Sequence, residues 1–196
     1  IAHIGIFFAA LIWLGLVNVG TSRFIAQPMK IPTGAMEPTL MGSRNASTPD
    51  HVITDRTAYW FGNPKRGDLA IFSTVNIRRI ESNPRYPGPV IYVKRVVGLP
   101  GENIEIRDGE VYANGNVLGS DHGIPPITYA QNKMMSEQFW AVPEGAYFVL
   151  GDNSPNSSDS RYWGFVPREN FQGKVTRIYW PFSRIGKPTY LVKDAR

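Results

Sequence analysis

Lys94 lies in the strand-like stretch VIYVKRVVG, residues 90–98. Alternate residues of a strand point to the same face, so Lys94 shares a face with Tyr92 and Val96. If that face is covered, desolvation lowers the pKa of the ammonium group and gives a lysine that can accept a proton near neutral pH. By itself, however, the stretch favours an edge-strand lysine whose amine reaches water.

The polar stretch GDNSPNSSDSRYWG, residues 151–164, concentrates Asp, Asn and Ser side chains. This composition is typical of a solvated turn. A calcium loop is excluded because the required glycine is missing and Trp163 stands where a bidentate glutamate should be. The remaining functional interpretation is a hydrogen-bonding platform that orients another group, with Arg161 and Asp159 as a candidate ion pair.

A third stretch, PMKIPTGAMEPTL (residues 28–40), contains three prolines. Their spacing is typical of a loop with a fixed conformation around Thr33, Gly34 and Ala35. Such loops usually present a reactive side chain, yet alanine has no chemistry to present. The sequence contains no GxSxG motif, phosphate loop or dinucleotide-binding glycine pattern.

Composition bounds the protein to one domain of ordinary size. The 196 residues include 19 Gly and 16 Pro, which favours many turns between short strands. The net charge of +5 is scattered rather than gathered into a stripe, so it indicates a basic surface beside an anionic membrane and no nucleic-acid partner. There are no cysteines, and the three histidines are far apart, which argues against a metal site. We expect no cofactor.

Residues 4–19 are apolar or glycine except for Asn18. We predict a transmembrane helix over residues 1–22, because a bilayer core needs about 20 such residues. A cleaved signal peptide fits less well, since there is no basic region before the apolar run and no clear cleavage motif after it.

The rest of the chain has the composition of short strands. Stretches 68–75, 90–98, 145–153 and 165–181 are candidates, and 103–118 predicts a meander with hairpin turns at Asp108-Gly109 and Asn114-Gly115. We predict a β catalytic core over residues 23–107 and 140–196, interrupted by an inserted hairpin and loop excursion over 108–139.

Together the three stretches resemble those of bacterial type I signal peptidases, which are membrane-bound serine proteases that use a Ser–Lys pair. Residues 31–40 resemble the nucleophile box IPSGSMxPTL, residues 92–102 the general-base box YxKRVxGxPGD, and residues 151–164 the C-terminal box GDNxxNSxDSRxWG. The order of the three boxes and the apolar segment upstream of the first one also match the pattern of this family. The resemblance implies a mainly β fold, an antiparallel β-sheet signal-peptidase catalytic domain with an N-terminal transmembrane helix.

The resemblance also implies roles for single residues. Lys94 matches the general base, and its identity as Lys rather than His indicates the bacterial type. Ser157 and Asp159 match the groups that position the base. Thr33 matches the hydroxyl residue of the oxyanion hole, whose other donor is the backbone N–H of residue 35. Framework positions of the last box are matched by Gly151, Asp152 and Arg161. The walls of the pockets for small substrate residues are matched by Met29, Ile31, Pro32, Met36, Leu40, Tyr92 and Val93.

One position departs from the family, because its nucleophilic serine falls on Ala35. Without that hydroxyl no acyl-enzyme can form, so we expect this chain to be inactive. We interpret Ala35 as a deliberate substitution that stops self-cleavage or traps substrate. The alternatives are a natural pseudoenzyme that holds signal peptides and a specialised maturation peptidase of the same family. The apolar first twenty residues argue against a soluble Ser–Lys self-cleaving repressor.

The function implied by the resemblance is removal of signal peptides from secreted preproteins after small residues, at A-x-A sites. Its partners are preprotein signal peptides and membrane lipid. The expected location is the bacterial cytoplasmic (inner) membrane, with the catalytic domain on the outer face. We expect the substrate to lie extended beside residues 29–32 and 90–93.

Overall fold

The computed structural model describes residues 25–42, 47–81, 88–129 and 139–190. Its strands in chain order are β1 (Ala26–Lys30), β2 (His51–Asp55), β3 (Leu69–Ser73), β4 (Ile91–Gly98), β5 (Asn103–Arg107), β6 (Glu110–Ala113), β7 (Asn116–Val117), β8 (Phe139–Ala141), β9 (Ala146–Leu150), β10 (Val166–Pro167) and β11 (Phe171–Trp180). The helices are α1 (Arg78–Glu81), α2 (Ser160–Trp163) and 3-10 turns at Gly34–Met36, Ser120–His122, Ser154–Asn156, Arg168–Asn170 and Phe182–Arg184.

Two antiparallel sheets contain these strands. Seven strands form the first sheet in the order β1-β2-β11-β3-β4-β9-β10, and four form the second in the order β7-β6-β5-β8. The prediction of a mainly β, antiparallel fold is therefore confirmed. No helix among the described residues is long and apolar enough to cross a membrane, and the transmembrane helix predicted over residues 1–22 lies outside them.

The second sheet contains both predicted hairpin turns. Asp108 and Asn114 have φ values of 52° and 49°, and the glycines that follow them have 85° and 80°. Two successive residues with positive φ give the turn whose twist matches antiparallel strands, which explains the Asp-Gly and Asn-Gly pairs. β5 and β8 flank the excursion predicted over 108–139 and pair with each other in this sheet. The domain boundaries stay a prediction.

β3 and β4 are central strands that bury side chains on both faces. On β3, Ala70 and Phe72 pack into one apolar cluster, while Leu69 and Ile71 pack into another on the opposite face. β4 pairs with β3 from Ile91 to Arg95 and with β9 only from Arg95 onwards. Lys94 is 4% exposed, so the alternative of an amine that reaches water is wrong.

A buried ion pair fastens the loop between β1 and β2. The guanidinium of Arg184 donates to both carboxylate oxygens of Asp50 (2.8 and 2.9 Å) and to the carbonyl of Thr39 (3.1 Å). Asp50 is fully buried and also accepts the backbone N–H of Met41 at 2.8 Å. The end of the described chain thus holds this loop in place.

Arg184→Met should destabilise the fold by about 3 kcal/mol, because it leaves the buried Asp50 carboxylate without its cation. The matched control is Arg107→Met, whose Glu105 partner lies 3.7 Å away with both side chains well exposed. The control should cost less than about 1 kcal/mol. Urea unfolding in detergent, followed by tryptophan fluorescence, measures both. Equal losses would contradict a structural role for the buried pair.

Candidate active site

Ala35 lies in a loop that the polar segment after β9 holds by its main chain. A short 3-10 turn, Gly34–Met36, carries Ala35, which is 9% exposed. The backbone N–H of Asn153 donates to the carbonyl of Ala35 (3.1 Å), and the Asn153 side-chain amide donates to that of Gly34 (2.8 Å). These bonds fix the position and orientation of residue 35 without using its side chain.

Lys94 reaches from β4 to the same polar segment. Its Nζ donates to Oγ of Ser157 at 3.0 Å. Burial lowers the pKa of Lys94 to about 8, against opposing effects from the nearby Asp159 and Asp152 carboxylates. Arg161 contributes to the lowering by like-charge repulsion. The amine is therefore partly neutral near pH 8, as a proton acceptor requires.

Gly151 allows the Ala35 loop and the Ser157 loop to meet. A Cβ at this position would lie 2.0 Å from Oγ of Ser157 and 2.6 Å from the carbonyl oxygen of Ala35. Both contacts are far inside van der Waals distance, so the site closes only because residue 151 has no side chain. Ala35, Ser157 and Lys94 are brought together around this glycine.

The predicted ion pair of Asp159 and Arg161 is confirmed, and it is buried. Asp159 accepts two bonds from the Arg161 guanidinium (2.8 and 2.9 Å) and one from the backbone N–H of Gly151 (3.0 Å). Arg161 also donates to the hydroxyl and the carbonyl of Ser154, both at 2.9 Å. Asp159 thus holds the main chain at Gly151 while its charge is matched by Arg161.

A second buried pair connects β4 to the Ala35 loop. Arg95 donates to both carboxylate oxygens of Asp152 (2.8 and 2.6 Å), and Asp152 also accepts the hydroxyl of Thr39. Arg95 follows Lys94 directly and points to the other face of the strand. A single carboxylate therefore couples the position of the lysine strand to that of the Ala35 loop.

The residues predicted to line substrate pockets divide into two groups by exposure. Met29, Tyr92 and Val93 are partly buried, and Pro32 is exposed, as is the predicted oxyanion residue Thr33. Ile31, Met36 and Leu40 are 3%, 2% and 0% exposed and pack in a single apolar cluster. In this structure they support the surface from beneath, and their contact with substrate stays a prediction.

A groove of about 240 Å³ crosses one face of the first sheet, between β1 and the start of β4. Its walls are Gln27, Met29, Thr54, Arg56, Ile71, Ile91, Gln172 and Gly173. Sequence reasoning missed β1 and β2, although HVITD alternates half-buried and buried residues with the period of a strand. Pro28 is itself typical of an edge strand such as β1.

The described part of the chain holds no group of three or more His, Cys, Asp or Glu residues placed to bind a metal ion. Sequence reasoning also left Asp50 and Arg184 unassigned, because nothing local marks partners so far apart in the chain.

Gly151→Ala should destabilise the fold by about 1 to 3 kcal/mol, since the added methyl group must displace Ser157 or the Ala35 loop. Gly62→Ala is the matched control, because the nearest atom to its added Cβ is a carbonyl oxygen 4.0 Å away. We expect the control to change stability by no more than about 0.5 kcal/mol. Chemical unfolding of the two variants side by side makes the comparison, and similar values would refute the close approach at Gly151.

Comparison with known proteins identifies the family of this chain. A family model described as signal peptidase, peptidase S26, matches residues 3–180. The chain is 33% identical to a probable signal peptidase I-2 of Synechocystis, over 87% of this chain and 71% of that protein. It is 31% identical to a signal peptidase I of Pseudomonas aeruginosa, over 83% and 72%. A thylakoidal processing peptidase 1 of Arabidopsis thaliana is 33% identical over 85% of this chain and 45% of its own length.

A solved signal peptidase I structure from Enterococcus faecalis overlaps in part, at 32% identity and a TM-score of 0.40, over 59% of this chain and all of that one.

The family model and the sequence matches place the chain among the serine peptidases, which are hydrolases. It belongs to the signal peptidase family, peptidase S26. The family resemblance predicted from the three sequence stretches is confirmed.

Proposed function

We propose that this chain has the site of a membrane-bound endopeptidase that cleaves signal peptides from secreted preproteins after small residues, and that Ala35 makes it inactive. The observation that carries the proposal is the buried Lys94 amine, 3.0 Å from Ser157 and with its pKa lowered to about 8. A buried amine of this kind suits a general base. The group that it would serve is the hydroxyl of a serine at position 35.

With Ala35→Ser the reaction is acyl transfer. Neutral Lys94 accepts the serine proton as the serine oxygen attacks the carbonyl carbon of the small residue that precedes the cleaved peptide bond. The hydroxyl of Thr33 and the N–H of residue 35 stabilise the oxyanion. In support, the Thr33 side chain does not cap the 3-10 turn that follows it. The Lys94 ammonium then protonates the leaving amine, and the neutral amine activates the water that hydrolyses the acyl-enzyme.

The substrate binds as an added strand between β1 and the start of β4. β1 is an edge strand, and β9 pairs with β4 only from Arg95 onwards. Within the described residues, both elements therefore offer main-chain groups to an extended peptide. Met29 and Val93, which are partly buried at the edge of an apolar cluster, suit small substrate side chains.

We place the protein in the bacterial cytoplasmic membrane, with the catalytic domain on the outer face. The apolar residues 4–19 support attachment, and membrane lipid and preprotein signal peptides are the partners. Ala35 itself favours a second candidate, a signal-peptide-binding pseudoenzyme. The residue encoded at position 35 in the native gene separates the two, and cleavage of general preproteins separates the first from a specialised maturation peptidase.

Ala35→Ser should restore cleavage of a preprotein at its A-x-A site by at least about a thousandfold, because it supplies the missing nucleophile. Adding Lys94→Ala should abolish the restored activity, whereas adding Arg107→Ala, at an exposed position of the second sheet, should not. Mass spectrometry of the products gives the rate and the cleavage position. Cleavage that persists after the loss of Lys94 would contradict the assignment of Lys94 as the general base.

The restored activity should depend on pH through Lys94, which must be neutral to act as a base. Below the pKa of about 8, kcat/KM should rise roughly tenfold per pH unit, and it should level off above that value. The measurement is kcat/KM on a short peptide between pH 6 and 10. A plateau that already extends down to pH 6 would rule out Lys94 as the titrating base.

A further inference from the structure

The groove between β1 and the start of β4 contains an uncompensated positive charge. Of the eight described residues that line it, Arg56 alone is charged. The Arg56 side chain is exposed, and among the described residues it forms no ion pair. Its guanidinium donates one long hydrogen bond, 3.4 Å, to the side-chain oxygen of Gln27. Most of its donors therefore remain available to a ligand in the groove.

A bulge in β11 shapes the groove beside Arg56. Between Phe171 and Gly173, β11 has one residue more than β3, so Gln172 lies in the bulge. A bulge redirects the side chain of its extra residue, and Gln172 lines the groove together with Arg56. A Cβ at Gly173 would lie 2.4 Å from the carbonyl oxygen of Asp55 and 3.0 Å from Cα of Arg56. The bulge thus brings an exposed amide close to the guanidinium.

The strands on the two sides of the groove run in the same direction. Four antiparallel pairings connect them, through β2, β11 and β3, and an even number of reversals restores the direction. β1 leads towards Ala35, and β4 leads from Ile91 towards Lys94. Since the small residues before the cleaved bond are placed beside Met29 and Val93, the substrate runs parallel to both strands.

This direction determines which substrate side chain enters the groove, when residues are counted backward from the cleaved bond. Alternate residues of an extended peptide point to the same face. The first and third residues are the small ones of an A-x-A site, so the fifth points to the same face as they do. Two residues before Met29 on β1 is Gln27, and two residues before Val93 on β4 is Ile91. Gln27 and Ile91 both line the groove, which therefore receives the fifth side chain.

The groove has the size and chemistry for a polar side chain longer than alanine. It encloses about 240 Å³, and the buried residues Thr54 and Ile71 form its floor. The Thr54 hydroxyl donates to the main-chain carbonyl of Gln27 at 2.8 Å, so the exposed Arg56 and Gln172 are the groups best placed to bind a ligand. A guanidinium binds a carboxylate through two parallel hydrogen bonds and repels an ammonium group.

We propose that this groove is a subsite for the fifth residue before the cleaved bond, and that Arg56 makes it favour an acidic side chain over a basic one. The inference rests on the proposed function and on the substrate strand between β1 and β4. It adds a preference based on charge to the selection of small residues nearer the cleaved bond.

Peptide cleavage by the Ala35→Ser form tests the subsite. Three peptides share one A-x-A site and have Glu, Ala or Lys as the fifth residue. The kcat/KM of the Glu peptide should exceed that of the Lys peptide about fivefold, with the Ala peptide between them. Adding Arg56→Gln should bring the ratio close to one, and adding Arg56→Glu should reverse it. Both variants keep the backbone bond from residue 56 to the carbonyl of Ile25.

Two controls separate the subsite from general electrostatics. Arg107→Gln removes the same charge from an exposed position of the second sheet and should leave the fivefold ratio intact. Peptides with Glu or Lys as the fourth residue, whose side chain points away from the groove, should not respond to Arg56→Gln. A ratio that Arg56→Gln does not change, or an equal response at the fourth residue, overturns the proposal.

Binding to the chain with Ala35 tests the subsite without catalysis. Fluorescence anisotropy of labelled Glu and Lys peptides gives their Kd values for the full chain in detergent. The Glu peptide should bind about fivefold more tightly at low salt, and the difference should largely disappear at about 1 M salt because exposed charges are screened. Arg56→Glu should invert the order of the two Kd values.

The two experiments distinguish failure of the subsite from failure of the proposed function. If Ala35→Ser does not cleave the Ala peptide, the proposed function fails, while the ratio of the Kd values still decides the subsite. Equal Kd values at low salt, or a difference that persists unchanged at about 1 M salt, overturn the subsite even where cleavage is restored.

Discussion

The structure depends on the burial of one amine whose nearest carboxylates are already paired. Asp152 and Asp159 both lie near Lys94, yet each accepts two bonds from an arginine, Arg95 and Arg161 respectively. Lys94 is left to donate to a neutral hydroxyl, that of Ser157. Burial then dominates the remaining attraction of the carboxylates, and the pKa falls instead of rising. A free carboxylate at the same distance would hold the lysine protonated.

The same charged pairs determine the geometry of the site. Asp152 joins the lysine strand to the loop that carries Ala35, and Asp159 fixes the main chain at Gly151. The arginines therefore neutralise the carboxylates and at the same time position the segments that must meet. The segments of such a site cannot move apart without a large cost in free energy, because a buried charge is left uncompensated when its partner moves away. The exposed pair of Arg107 and Glu105 carries no comparable constraint.

Sequence reasoning predicted those features that depend on local patterns. Alternation along β4 placed Lys94 on an apolar face, and Asp-Gly and Asn-Gly fixed two hairpins because few other residues tolerate positive φ. It missed β1 and β2, since a proline and a short, half-polar strand weaken the local signal.

Partners far apart in the chain could be predicted only where the family resemblance assigned them a role, as it did for Lys94 and Ser157. Asp50 and Arg184 are 134 residues apart, and only the folded sheet brings them together. Ala35 is the opposite case. The residue itself has no reactive group, but the resemblance of the surrounding sequence indicates that position 35 is that of the nucleophile.

The central claim is that this fold holds Lys94 in a site that favours its neutral form, and Ala35 allows a direct test without self-cleavage. The test is an NMR titration of the Lys94 side chain in the full chain, with its signal assigned by its loss in Lys94→Met. The account predicts a midpoint near pH 8. A midpoint near the ordinary lysine value of about 10.5 would contradict it.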